Sequence, residues 1–139
     1  MDWKMCAIED LRRYKFIKVG IINSKERLAI INAGLKGSFL TSKKESSPKN
    51  PDFMNSIVEV NKLRQNISSA QNMTKLIERA LASLTDEERE ILDKCYMENN
   101  PKSTSILSKE LGFSSRSLYR VRDEALAKFT LAMYGVNGT

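Results

Sequence analysis

Histidine is absent from the 139-residue sequence, and only two cysteines occur in it, Cys6 and Cys95. Histidine is the commonest zinc ligand and the usual proton shuttle near neutral pH, so its absence argues against a metal site and against acid–base catalysis. The two cysteines have neither the close spacing of a zinc site nor the density of a disulfide-stabilised secreted domain. We therefore expect two reduced, buried, unreactive thiols and predict a non-enzymatic protein with no metal and no cofactor.

The sequence also lacks an uninterrupted apolar run long enough to cross a bilayer. Its amino terminus carries Asp2, Glu9 and Asp10 instead of a basic segment followed by an apolar signal core. We therefore predict a cytoplasmic protein that has no membrane partner.

Positive charge is what the sequence has in excess. Lysine and arginine outnumber the acidic residues by 23 to 17, which gives a formal net charge of +6. The basic excess is concentrated in residues 1–44, whereas residues 85–101 are acidic. The acidic stretch opens a predicted helix, where carboxylates complement the positive end of the helix dipole. The remaining positive charge favours a polyanionic partner such as nucleic acid, without identifying one.

The first 36 residues are predicted to form a basic helical arm. Apolar residues follow helical spacing from about residue 2 to residue 19, and Ser24 is placed to cap a second, short helix. These two helices are expected to form a hairpin. Residues 37–52 combine serines, lysines and two prolines with little apolar material, so we predict a flexible linker there.

Residues 53–139 are predicted to form a helical domain. A helix resumes near Pro51 and has an expected break between Ser68 and Asn72. Thr85 then begins another helix, because Glu88 follows it at the spacing of a capping box. No alternating apolar pattern bounded by hairpin turns occurs, so the sequence predicts an all-α fold.

The most informative segment runs from about residue 103 to residue 133. Apolar residues share one face of a short helix before Gly112, which supplies the backbone freedom that a tight turn needs. Ser114 is placed to cap the next helix. The predicted buried side of that helix consists of Leu118, Val121, Ala125, Leu126, Phe129 and Ala132. This pattern is typical of a helix-turn-helix.

The opposite side of the second helix carries hydroxyls and basic groups. Arg116 and Arg120 lie one turn apart, so their guanidinium groups project together. Such groups bind base edges and phosphates, and we predict a DNA-contacting surface. Its residues are Ser115, Arg116, Ser117, Tyr119 and Arg120, flanked by Lys102, Thr104 and Lys109 near phosphates. Alternatively, Tyr119 packs inward as a structural residue. A second alternative is that the arginines contact only water on the outer helix of an ordinary small helical protein.

Two runs in this half of the chain, LTDEEREILDKCYMENN at 84–100 and ILSKELGFSSRSLYRVRDEALAKF at 106–129, carry a family resemblance. They resemble region four of sigma-70-type factors and, still more, ArpU-type phage transcriptional regulators. The resemblance covers about residues 77–135. It depends on Leu84, Glu87, Glu88, Arg89, Ile91 and Tyr96 in the first run, and on Ser115, Arg116, Ser117, Tyr119, Arg120, Ala125 and Leu126 in the second.

The resemblance implies sequence-specific DNA binding in transcription control, usually of late or packaging genes of a phage or prophage. It also implies a sigma-region-four-like helix-turn-helix bundle, which would follow the amino-terminal hairpin or arm. Three positions differ from the related families. Ser108 stands where these motifs often have alanine, and Asp123 with Glu124 stand where the regulators commonly have basic residues.

A lone helix-turn-helix seldom buries enough surface for tight and selective binding, so double-stranded DNA is not the only expected partner. A second copy of the chain or RNA polymerase would supply the additional contacts. The main alternative function is a protein-interaction module, for example an accessory factor that binds polymerase through the same two helices. An enzyme ranks third, because Ser108 and Lys109 cannot face each other on one helix and no phosphate-binding glycine loop is present.

Overall fold

The computed structural model describes residues 1–41 and 51–136 of the chain. The helices in these ranges are α1 (Trp3–Thr41), α2 (Pro51–Ala82), α3 (Asp86–Leu92), a π-helical segment (Asp93–Met97), α4 (Thr104–Leu111) and α5 (Ser115–Tyr134). Every regular element of the described ranges is helical, which confirms the predicted all-α fold.

The chain is organised as two compact units. The first combines Met1–Phe16 with Thr74–Thr139, and the second consists of Ile17–Met73. This grouping differs from the sequence-based division into residues 1–36, 37–52 and 53–139. The first sixteen residues belong with the carboxyl-terminal helices, although they are distant from them in sequence.

The amino-terminal end of α1 completes the core of the first unit. Ala7 and Leu11 are fully buried. The rings of Trp3 and Tyr134 lie 5.0 Å apart between centroids, and the Tyr134 hydroxyl donates a hydrogen bond to Asp10. Apolar burial and these contacts together fix the start of α1 against the end of α5.

Two polar contacts also hold the start of α1, one against α2 and one against the π-helical segment. The Tyr14 hydroxyl donates to Glu78 Oε1 at 2.6 Å, and Lys15 Nζ lies 3.7 Å from Asp93 Oδ1. Burial, followed by the hydrogen bond to Glu78, raises the pKa of Tyr14 to about 12. The phenol therefore stays protonated as a donor throughout the physiological range.

The predicted amino-terminal hairpin is wrong, because α1 is one continuous helix of 39 residues. Its least exposed positions keep a spacing of three and four residues from Ala7 through Ile17, Ser24 and Leu35 without interruption. Ser24 therefore lies inside the helix instead of capping a new one. Glycine costs only about 1 kcal/mol relative to alanine within a helix, and no proline occurs in α1 to stop it.

The predicted linker and the predicted break in α2 also differ from the structure. Residues 37–41 end α1 and residues 51–52 begin α2, while residues 42–50 lie outside the described residues. No break occurs near Ser68 to Asn72, because α2 continues to Ala82. Ser68, Ser69 and Asn72 all lie on the exposed side, so the buried side from Ile67 to Ile77 is uninterrupted.

The capping box that begins α3 is confirmed. Thr85 accepts from the Glu88 backbone N–H at 3.2 Å, and the Glu88 carboxylate accepts from the Thr85 backbone N–H at 3.0 Å. Lys128 of α5 also donates to Glu88 Oε2, at 2.8 Å. The hydrogen bond from Lys128, followed by the one from Thr85, holds the pKa of Glu88 below its ordinary value of 4.5.

Acid is therefore expected to weaken the fold through Glu88. Because its folded-state pKa is lowered, the carboxylate stabilises the protein above about pH 4.5, and this contribution is lost as the pH falls through the lower folded-state value. Glu88→Gln should lower the free energy of unfolding at neutral pH by about 1 kcal/mol and flatten its acid dependence. Denaturant titrations between pH 3 and pH 7 measure both effects. Glu87→Gln, at an exposed neighbour, is the control; it removes the same first-turn charge without the hydrogen bonds of Glu88 and should change both quantities less.

Within the described ranges, no helix is long and apolar enough to cross a membrane. The same residues contain no group of three or more cysteine, aspartate or glutamate side chains that could hold a metal ion. The cytoplasmic location and the lack of a cofactor remain predictions.

Candidate nucleic-acid interface

Three helices hold the candidate interface in position. Ile91 of α3, Leu107 of α4 and Leu118 of α5 are fully buried against one another. Four partly buried side chains pack around them, Cys95, Leu111, Phe113 and Val121. Apolar side chains on all three helices thus fix the crossing of α4 and α5, and that crossing determines where their outer faces point.

The turn between α4 and α5 has the geometry that the sequence predicts. Gly112 ends α4 with φ +75°, in the left-handed region. Ser114 then caps α5, because its Oγ accepts from the Ser117 backbone N–H at 3.1 Å. The predicted buried side of α5 is confirmed at Leu118 and Phe129, whereas Ala132 is exposed. The 8-residue α4 and the 20-residue α5, each with a serine cap at its start, are thus joined by a glycine turn in a helix-turn-helix arrangement.

Replacing Gly112 is expected to strain this turn. A Cβ at φ +75° costs about 1 to 2 kcal/mol in the backbone, although no atom lies within 4 Å of the place it would occupy. Gly20→Ala is the matched control, because Gly20 lies inside α1 with equally open space. Alanine there should stabilise by up to about 1 kcal/mol. The midpoint temperature of thermal unfolding should therefore fall in Gly112→Ala and rise in Gly20→Ala. A Gly112→Ala protein as stable as the parent would contradict the turn geometry.

Arg116 and Arg120 are exposed on the first two turns of α5, as expected. Together with Ser117 they line one surface depression. Among the described residues neither arginine forms an ion pair, whereas most other cationic groups on the first unit do. Both guanidinium groups are therefore free to bind an external acceptor.

The two serines of the predicted surface have different roles. Ser115 is exposed at the start of α5. Ser117 is half-buried, and its hydroxyl accepts a hydrogen bond from Ser114 Oγ at 3.0 Å. Ser117 therefore supports the cap of α5 in addition to lining the depression.

Tyr119 joins the outer faces of α4 and α5. Its hydroxyl lies 3.2 Å from the Thr104 hydroxyl, at the first residue of α4. The side chain remains 43% exposed, so it is a surface residue and not a core residue. The Arg122 guanidinium carbon lies 4.8 Å from the centre of the Tyr119 ring, within the range of a cation–π contact. Arg122 is not among the predicted site residues, although its position one turn after Tyr119 indicates the contact.

The flanking lysines differ in their freedom to bind phosphate. Lys109 is exposed on α4. Lys102 precedes α4, and its Nζ lies 2.7 Å from Glu110 Oε1. This hydrogen bond raises the pKa of Lys102 above its ordinary value. A phosphate at Lys102 would therefore have to compete with Glu110.

The cysteines are free and half-buried, which is less burial than the sequence predicted. Burial raises the pKa of the Cys95 thiol, and the nearby Arg122 opposes this shift. At neutral pH the thiol is therefore protonated, and a protonated thiol is a poor nucleophile.

No protein-family model, no curated protein and no solved structure matches the chain.

Proposed function

We propose that this protein is a sequence-specific DNA-binding transcriptional regulator. The observation that carries the proposal is the pair Arg116 and Arg120, exposed and free of ion pairs within the described residues. The pair lies on the first turns of a capped helix that is packed rigidly through Leu118. Rigid positioning of planar, bidentate donors is what selective contact with guanine requires.

The proposed docking follows from the shape of B-form DNA. The major groove is wide enough for one α-helix, and α5 presents its amino-terminal half to the base edges. The preceding helix, α4, lies across the phosphate backbone, where Thr104 and Lys109 donate to phosphate oxygens. The hydroxyl contact between Thr104 and Tyr119 fixes the outer face of α4 relative to the outer face of α5.

The proposed biological setting comes from the family resemblance. Because residues 77–135 resemble ArpU-type phage regulators, we propose control of late genes of a phage or prophage. The start of α3 exposes the carboxylates of Asp86 and Glu87, which do not attract phosphate. Affinity therefore has to come from α4, α5 and a further partner, for which RNA polymerase and a second copy of the chain are the candidates.

Selection of bound sites from a pool of random duplexes tests the proposal directly. We expect one enriched sequence, whose affinity falls steeply as the salt concentration rises from 50 to 200 mM, because phosphate contacts release counterions. Enrichment of no sequence, together with salt-independent absence of binding to any duplex, would reject DNA binding.

A second candidate function is protein recognition by the same two helices. It is favoured by Asp123 and Glu124, which are exposed on α5 and would repel a phosphate backbone nearby. In that case purified RNA polymerase should retain the protein in the absence of DNA. Replacing both carboxylates by their amides should then weaken retention, whereas the same change should strengthen binding to a duplex.

A further inference from the structure

Among the three arginines of α5, Arg122 alone is not exposed. Its side chain is 24% exposed, and its Nη2 atom lies 3.5 Å from Asp123 Oδ1. Its charge opposes the rise that burial causes in the pKa of Cys95 and in that of Tyr96, both in the π-helical segment. Arg122 is therefore close to the π-helical segment as well as to the outer face of α5.

Hydrogen bonding does not explain why Arg122 lies there. Within the described residues its Nε–H is buried and has no acceptor, and a buried donor without an acceptor destabilises a fold. The ion pair with Asp123 contributes little, because that carboxylate is 61% exposed. The guanidinium carbon, however, lies 4.8 Å from the centre of the Tyr119 ring. The contact with this ring therefore accounts for the placement of Arg122.

The other end of the Tyr119 side chain belongs to a pair of hydroxyls. The Tyr119 hydroxyl lies 3.2 Å from the Thr104 hydroxyl, at the first residue of α4. The two hydroxyls have two protons, and the hydrogen bond between them uses only one. Because Tyr119 is exposed, the second proton is available to an external acceptor. The pair therefore offers one donor to a ligand that contacts α4 and α5 together.

We propose that Arg122 is a positioning residue, which holds Tyr119 so that the hydroxyl pair donates to one phosphate oxygen of the DNA backbone. The inference rests on the proposed function, because the acceptor belongs to the bound duplex. A phosphate fits the pair, since α4 lies across the backbone in the proposed docking. A tyrosine side chain rotates about two torsions, so a contact on its ring and another at its hydroxyl are needed to fix it. Arg122 supplies the first contact and Thr104 the second.

A double-mutant cycle in duplex affinity tests this role. Arg122→Gln should weaken binding about two- to fivefold, which corresponds to the loss of a cation–π contact at an exposed ring. Tyr119→Phe keeps the ring and removes the hydroxyl, and it should weaken binding about two- to tenfold. When Tyr119→Phe is already present, Arg122→Gln should cause no further loss, because no hydroxyl is left to position. A purely structural role of Arg122 would give the same loss with and without Tyr119→Phe.

The salt dependence of binding separates positioning from direct contact. An arginine that bound phosphate itself would lower the salt slope by about 1 when replaced. We expect Arg122→Gln to leave the slope unchanged, because the hydroxyl that it positions carries no charge. We also expect equal losses with the selected duplex and with a scrambled one, since a phosphate contact carries no sequence information. Arg13→Gln is the matched control at an exposed arginine of the same unit, and its effect should be small and independent of Tyr119→Phe.

A second cycle applies if Arg122→Gln lowers the midpoint temperature of unfolding. Thr104→Val removes the other hydroxyl of the pair and nearly preserves the shape of the side chain. It should weaken duplex binding, and its effect should be smaller when Tyr119→Phe is present. Additive losses in this cycle would contradict the hydroxyl pair.

Three results would overturn the inference and leave the proposed function standing. These are a duplex affinity that Arg122→Gln leaves unchanged, a loss that is the same with and without Tyr119→Phe, and a salt slope that Arg122→Gln lowers. Absence of binding to any duplex would reject the proposed function and the inference together.

Discussion

Changing Arg116 and Arg120 together to alanine should remove selective DNA binding while leaving the fold intact. Each guanidinium that contacts a base is worth about 1 to 3 kcal/mol, so affinity for the selected duplex should fall roughly 30-fold to 20,000-fold. Both side chains are exposed and form no ion pair within the described residues, so thermal unfolding should be unchanged. Fluorescence anisotropy with the selected duplex and with a scrambled duplex measures the effect.

The matched control separates base contacts from general electrostatic attraction. Lys62→Ala with Arg64→Ala removes the same charge from exposed positions of α2. It should lower affinity for selected and scrambled duplexes equally and only slightly. Equal losses in the two double variants would show that Arg116 and Arg120 have no special role.

Leu11→Ala should destabilise the carboxyl-terminal unit, although residue 11 is nearly a hundred positions away from the helix-turn-helix in sequence. Leu11 is fully buried in the unit that contains α3, α4 and α5. Truncating a buried leucine costs about 2 to 5 kcal/mol, a large part of the stability of a small domain. The urea concentration at the unfolding midpoint should fall accordingly. The rates of backbone amide hydrogen exchange should rise in α5 as well as in α1.

Phe16→Ala is the control on the same helix. Phe16 is 70% exposed, so its truncation removes little buried area and should change stability by less than about 0.5 kcal/mol. If Leu11→Ala behaved like Phe16→Ala, the amino-terminal segment would not be part of the carboxyl-terminal core. Exchange rates that rise in α1 alone would lead to the same conclusion.

Local signals predicted most of the helix-turn-helix. The capping residues Thr85 and Ser114 and the turn residue Gly112 act within a few positions of themselves, and all three occur in the structure as expected. The exposure of Arg116 and Arg120 also follows from helical spacing alone. The pairing of Lys102 with Glu110 was not predicted, because Lys102 lies before α4 and its reach to Glu110 depends on the path of the chain. The contact of Arg122 with Tyr119 was also not predicted, although it follows from their spacing of three residues on one helix.

The sequence by itself determined the all-α class, the two helices around Gly112 and the outward direction of their basic groups. These features follow from the spacing of apolar residues and from capping groups that act over a single turn. Only the tertiary structure decided that α1 is continuous and that Ala7 and Leu11 complete a core with α5. The physical reason is that burial depends on which distant segments meet, and a glycine or serine that suggests a break is tolerated where a continuous buried side stabilises the longer helix.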